Sequence, residues 1–253
     1  MNTKLLYKQI LFYVGIIAVW QVIFMTHVIP SQALPSPLQV GQLLLKESAD
    51  GSLPYAIGTS MWRLVVGLII AIVGGLILGI IMAKIETANQ TIGSLILGLQ
   101  SIPSVAWVPL ALLWFGPTDA GTIFVVVAGA LFAISINTHS GIKNIPPTYI
   151  AAGRNMGASG LQLITNVMIP AALPYLITGF KQGWAYAWRG VIAAEIIFSI
   201  AGLGFLLNLG KHNNDISQVT GILIIIMIIG ILVDGFVFKK LEAKILARWG
   251  LLK

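Results

Sequence analysis

Arg189 and Glu195 stand inside a long apolar run, Ala171 to Ile200. An ionisable side chain in such a run is expensive to hold in hydrocarbon, so each is a functional candidate. Six residues of helix turn through about 600°, which leaves roughly 120° between the two faces, so one helix does not bring them together. Each needs another partner, water or a cavity. The Arg189 guanidinium has the fork that grips a small oxyanion; the ordinary alternative is a structural ion pair with a neighbouring helix or a reach to the interface. A second group lies in QSIPSVAWVPLALLWFG, where Gln100, Ser101, Ser104 and Trp107 surround Pro103 and Pro109. Proline in a span frees backbone carbonyls and bends the helix, which is tolerated where protein or water satisfies them again. These four side chains either line a path or fit a bend into a bundle. Asp234 reads as an interfacial residue beside Lys239 and Lys240, and Asp119 as a solvated residue of a short turn.

Catalytic patterns are absent from the sequence. It has no glycine-rich nucleotide loop ending in Lys-Ser or Lys-Thr, no His-Glu-x-x-His pair and no Gly-x-Ser-x-Gly elbow. Zero cysteines exclude thiolate metal sites and disulfides, and His27, His139 and His212 are scattered, so no bound metal or cofactor is expected. An intramembrane enzyme would need His, Asp or Glu clustered near one membrane face, a pattern this chain does not offer.

The elements that position these residues follow from composition. Of 253 residues 57% are hydrophobic and 9% charged, against about a quarter charged in soluble domains, so the chain is an integral membrane protein. Its net charge of +7 is dispersed and gathers at the ends of apolar runs, the pattern of membrane topology rather than of nucleic-acid binding. Six runs suit a hydrocarbon core about 30 Å thick: Ile10 to Ile29, Trp62 to Ala83, Ile92 to Phe115, Gly121 to Thr138, Ala171 to Ile200 and Val219 to Phe238. The fifth is too long for one straight span and should include a reorientation and an exit segment near Gly202 and Gly204. Gly67, Gly74, Gly75 and Gly79 permit close helix packing. Lys4, Lys8, Lys239, Lys240, Lys244, Arg248 and Lys253 lie in the termini, which the positive-inside rule places in the cytoplasm. Lys84 and the Ile142 to Met168 loop fall on the same side; Leu34 to Ser60, Gly116 to Ala120 and Lys211 to Gln218 face outward. The first run lacks a cleavage site and is expected to be a retained anchor. A single membrane domain over 1–253 is the simplest division.

The loop from Ile150 to Pro174, IAAGRNMGASGLQLITNVMIPAALP, is the weakly hydrophobic interruption. Gly157 separates two helix-compatible runs, Thr148 to Met156 and Ala158 to Met168, and permits the positive φ of a tight turn. Pro170 and Pro174 are expected to end the second run and start a new helix. This segment resembles the EAA loop of permease subunits of bacterial ABC importers. Ala152, Gly157, Val167 and Ile169 with Pro170 fit its spacing without gaps, and Arg154 and Gly157-Ala158-Ser159 follow it. Ala151 stands where the family has glutamate, and Gly153 where it has a second alanine. LPSPLQV, SMWRLVVG and AWRGVIAAE are similar to the nitrate, sulfonate and taurine branch.

The resemblance, with its core at about 55–250 and the loop at about 146–170, implies an all-α, six-span permease of the bacterial inner or cytoplasmic membrane. Its coupling loop falls between spans four and five. It implies pairing with a second permease copy, two ATP-binding cassette subunits that use ATP and magnesium, and an extracytoplasmic binding protein that delivers substrate. The ATPase would grip Ala151, Ala152, Gly153, Arg154, Gly157, Ala158, Ser159, Leu161, Ile164, Val167, Ile169 and Pro170, with Leu161, Ile164 and Val167 supplying apolar packing. Path or gate candidates are Gln100, Ser101, Ser104, Trp107, Arg189 and Glu195; Glu195 resembles the glutamate of the family's AAE run and suits a gate or a helix-to-helix hydrogen bond. The expected substrate is a small anion such as a sulfonate, taurine or nitrate, with bicarbonate or a vitamin precursor as alternatives. The rival of another class, an ion-coupled secondary transporter, would show inverted repeats or broken helices in matching halves.

Overall fold

The computed structural model describes residues 3–30 and 33–248; Lys253 lies outside them. All regular structure among the described residues is helical. Helix α1, Thr3–Met25, is exposed from Tyr7 onward except at half-buried Trp20, Gln21 and Phe24, and its Trp20 Nε1 donates to the Pro35 carbonyl at 2.9 Å. The short α2, Pro37–Ala49, opens with a capping box: Ser36 Oγ accepts from Gln39 N and Gln39 Oε1 accepts from Ser36 N. Helix α3, Ser52–Lys84, runs for 33 residues. Two arms follow, α4 over Glu86–Gln100 and α5 over Ser104–Phe115, bent by 99°. Then come α6, Asp119–Lys143, capped by Thr118, the short α7, Pro147–Asn155, and α8, Gly160–Phe198. Helix α9 covers Leu203–His212 and α10 Ile216–Ile245.

Five helices, α1, α3, α6, α8 and α10, are long and apolar enough to cross a membrane, and the α4–α5 pair makes a sixth if taken as one broken span. The third predicted span is therefore no straight crossing. Pro103 fixes its own φ and pushes Ile102 out of the helical region, and Pro109 restarts the helix in a first turn, where a missing N–H is harmless. The fifth span differs in the other direction. Pro170 and Pro174 do not restart a helix; α8 runs on from Gly160 through both. A wide π turn at Ile164–Met168 precedes Pro170 and relieves the clash that a proline ring makes with the preceding turn. Residues 160–168 of the second helix-compatible run are thus the start of α8 rather than a helix ended by Pro170.

Helix α6 lies between α3 and α8 and packs on both along most of their length. The α3 glycines make this approach close, as their spacing predicts: a Cβ at Gly75 would stand 2.7 Å from Ile134 Cγ2, and one at Gly79 2.7 Å from the Ser135 carbonyl. The Ser135 obstacle is backbone and cannot rotate away. Gly79→Ala is therefore expected to lower stability by about 1–3 kcal/mol, read from thermal unfolding in detergent. Gly58→Ala, with open space around its Cβ, is the neutral control.

Candidate functional site

Glu195, fully buried on α8, is the centre of a polar cluster that joins four helices, α3, α6, α8 and α9. Ser60 Oγ lies 2.9 and 2.8 Å from its two carboxylate oxygens, Arg63 Nη1 donates to it at 2.8 Å, and the Gly204 N–H at 3.0 Å. Ser60 Oγ also accepts from the Leu203 N–H at 2.9 Å, so Glu195 and Ser60 together satisfy the first two N–H groups of α9. Gly202, at φ +154, lets the backbone pass against the carboxylate, where a Cβ would collide with it. Arg63 completes the cluster through Nε and Nη2 to Asp119 Oδ1, both at 2.8 Å, and through Nη1 to the Ala201 carbonyl. Asp119 is thus not a freely solvated turn residue: although its side chain is 63% exposed, it closes one end of an ion pair. Arg63 itself was legible only as part of SMWRLVVG, and an arginine inside the second apolar run was the signal for it.

Arg189 and Glu195 do not meet. Arg189 is exposed on α8 with its guanidinium 5.8 Å from the Tyr186 ring centroid, within cation–π range. It borders a cavity of about 210 Å³ with Gln100, Ser104, Phe132 and Tyr186. Ser104 reaches this cavity because α6 and α8 carry glycines beside it, its Cβ lying 3.2 Å from where a Gly129 Cβ would be. Ser101 is elsewhere, its hydroxyl turned back to the Gly98 carbonyl at 2.6 Å. Trp107 packs against Phe124 and Phe132. Thr178 and Gln182 extend the exposed polar stripe of α8 away from Arg189 at helical spacing, and Asn137 Nδ2 donates to Gln182 Oε1 at 3.0 Å. Asp234 differs from its expected place beside Lys239 and Lys240: it pairs with Lys181 Nζ at 2.7 Å and ties α10 to α8.

At the end of the bundle that carries Lys84 and Lys143, α7 closes in a Schellman turn. The Ala158 N–H donates to the Gly153 carbonyl and the Gly157 N–H to the Arg154 carbonyl, with Gly157 at φ +87 as its turn position predicts. Gly153 is buried, and a Cβ there would stand 2.8 Å from Val167 Cγ2; the small residue admits Val167 beneath α7. Ile164 and Val167, both half-buried, pack beside Leu163 and Met168 rather than facing outward as expected. Ala151, Ala152, Arg154, Ser159 and Leu161 are exposed, Ala158, Ile169 and Pro170 half-buried. Met156 at 88% and Leu161 at 73% are the most exposed large apolar side chains of this loop.

Away from these sites, Glu47 on α2 is buried with Oε2 lacking a hydrogen bond. Burial, then Asp50 and Asp215, push its carboxyl above the usual range. The folded chain then holds this proton at pH values where the unfolded chain has lost it, so stability falls as pH rises from the ordinary carboxylate range through the raised one. Glu47→Gln is expected to flatten that fall and raise the unfolding midpoint at pH 7, as read from melting curves across pH.

The described residues form an all-helical bundle with five candidate apolar spans, or six with the broken pair, which is the fold of a polytopic membrane protein. Residues 71–243 match the family of binding-protein-dependent transport system inner membrane components, and the chain belongs to that family, the permeases of ABC importers. It is 39% identical over 176 residues to a putative ABC transporter permease of Methanocaldococcus jannaschii, a match spanning 69% of this chain and 66% of that one. A putative aliphatic sulfonates transport permease of Escherichia coli is 34% identical over 93% of this chain and 89% of its own length. Other relatives are named as nitrate, bicarbonate and taurine permeases. Among solved structures, an inward-facing MetNI methionine ABC transporter shares the fold at TM-score 0.65 and 20% identity, covering 79% of this chain and 98% of the matched one.

Proposed function

We propose that this permease carries a small oxyanion, a sulfonate, taurine or nitrate, along the α8 stripe that includes Arg189, and that a second copy of the chain covers that stripe. The observation that carries this reading is the exposure of Arg189, Gln182 and Thr178 on a membrane-spanning helix. Hydrocarbon against such a stripe is costly, so protein or water must face it. Arg189 supplies charge and fork geometry, Gln100, Ser104 and Tyr186 supply neutral hydrogen-bonding groups, and Phe132 supplies an apolar wall. A cavity of about 210 Å³ takes a small headgroup with a short tail. The names of the sulfonate, nitrate and taurine permeases among its relatives support the same class.

Energy comes from a separate pair of ATP-binding cassette subunits, which hydrolyse ATP with magnesium and hold the α7 turn on the cytoplasmic side, where both termini also lie. Exposed Tyr149, Met156 and Leu161 form the apolar part of that contact. Closure of the ATPase moves α7, and because Val167 is seated under Gly153 the displacement passes into α8 and the path. A binding protein delivers substrate to the opposite face, and transport follows alternating access.

Arg189→Gln tests the path. Loss of a hydrogen-bonded charge is worth about 1.5–3 kcal/mol, or roughly 10- to 100-fold in uptake, with assembly and basal ATP hydrolysis retained. Unchanged uptake of sulfonate, taurine and nitrate by this variant would remove Arg189 from the path.

A further inference from the structure

Resting on the coupling surface just proposed, we infer that the cleft between the end of α3 and α7 receives a carboxylate of the ATPase subunit, held between Lys84 and Arg154. The cleft has a volume of about 570 Å³; Lys84 and Arg154 border it beside the Gly157–Gly160 turn, over a floor that includes buried Leu163 and Met168. Both cationic side chains are exposed, and neither forms an ion pair among the described residues. Lys143, the last residue of α6, does form one, with Glu86 at 3.3 Å. From Asn144 to Pro174 the sequence contains no aspartate or glutamate, and the family's glutamate position holds Ala151. The loop therefore presents positive charge with no acid of its own to balance it.

Charge complementarity assigns an acidic side chain to the partner, and the apolar floor assigns apolar neighbours to that side chain. The exposed Tyr149, Met156 and Leu161 on the same loop favour a protein surface over a headgroup or a free anion. Lys84 is the last residue of α3, which packs along α6. A carboxylate bridging Lys84 and Arg154 would grip α3 and α7 at once, so that ATPase closure pulls on α3 and α6 directly as well as through α8.

The tagged chain, co-expressed with its ATPase and extracted in detergent, gives the ratio of the two subunits after washing at low and at high salt. Reversing both charges (Lys84→Glu with Arg154→Glu) is expected to lower retained ATPase on the order of tenfold or more at low salt. Neutralising both (Lys84→Gln with Arg154→Gln) is expected to lower it less and to remove its salt dependence. Both side chains being exposed, the melting temperature of each variant should match the parent. Retention at parental level by the reversed variant, with Gly157→Arg still losing the ATPase, overturns the cleft and leaves the docking surface standing. Retention of ATPase together with loss of co-purifying anionic lipid also overturns it, and makes the cleft a headgroup site. Failure of the parent itself to retain ATPase overturns the docking surface and the cleft together.

Discussion

Arg63→Ala is expected to destabilise this permease by about 3–5 kcal/mol, because it leaves a buried carboxylate without its charge partner. Glu195 has no exposure to water and would keep only Ser60 and the Gly204 N–H. The Ala201 carbonyl would lose its donor at the same time. Apart from the largely exposed Asp119 carboxylate, the loss falls on the reversal of the chain from α8 into α9, so amide exchange should accelerate at Leu203 and Gly204 before the rest of α8. Two companions separate the causes. Arg63→Met combined with Glu195→Gln replaces the ion pair by uncharged groups and should recover most of the loss, whereas Asp119→Asn should cost less than about 1 kcal/mol because that carboxylate is largely exposed. An Arg63→Ala variant that melts with the parent would mean that the buried pair contributes nothing to holding α9.

The second large effect is functional. Gly157→Arg should insert and fold yet abolish ATP-dependent uptake. A side chain at φ +87 costs about 1–2 kcal/mol of backbone strain, which a bundle of this size survives, and a Cβ there meets no atom within 4 Å. The arginine therefore projects from the tip of α7, beside exposed Arg154 and Ser159, and its bulk blocks whatever closes on that surface. Gly157→Ala carries the same strain without the bulk and should keep a substantial fraction of uptake. Equal loss in both variants would assign the effect to the turn's conformation rather than to the contact surface.

The sequence makes some features legible and hides others for physical reasons. Apolar runs and glycine spacing are local signals, so the spans and the α3 seam against α6 emerge directly. Gly157 is equally legible, because one residue type meets one backbone requirement. The proline calculus at Pro170 misleads: a proline that would end an isolated helix is absorbed by a widened turn when the helix is held on both sides by α6 and the α7 loop. At Pro103 the same residue type gives a bend of 99°, since no neighbouring turn widens to receive it. Side-chain partners across helices are the least legible. Arg63, Ser60 and Glu195 are more than a hundred residues apart in sequence across that contact, and Lys181 with Asp234 likewise spans two helices; no periodicity in one segment encodes the other. Likewise, Val167 turns inward because Gly153 opens a notch beneath α7, which becomes visible only when both elements are placed.

The central claim, a permease subunit powered by partner ATPases, is tested most directly by uptake into proteoliposomes that hold this chain with its ATPase, with the binding protein and a labelled sulfonate or nitrate on the opposite side. Uptake that requires hydrolysable ATP on the ATPase side, stops with a non-hydrolysable analogue and is lost in Gly157→Arg is the predicted result. Uptake by the chain without the ATPase, driven by a sodium or proton gradient and indifferent to Gly157→Arg, would contradict it.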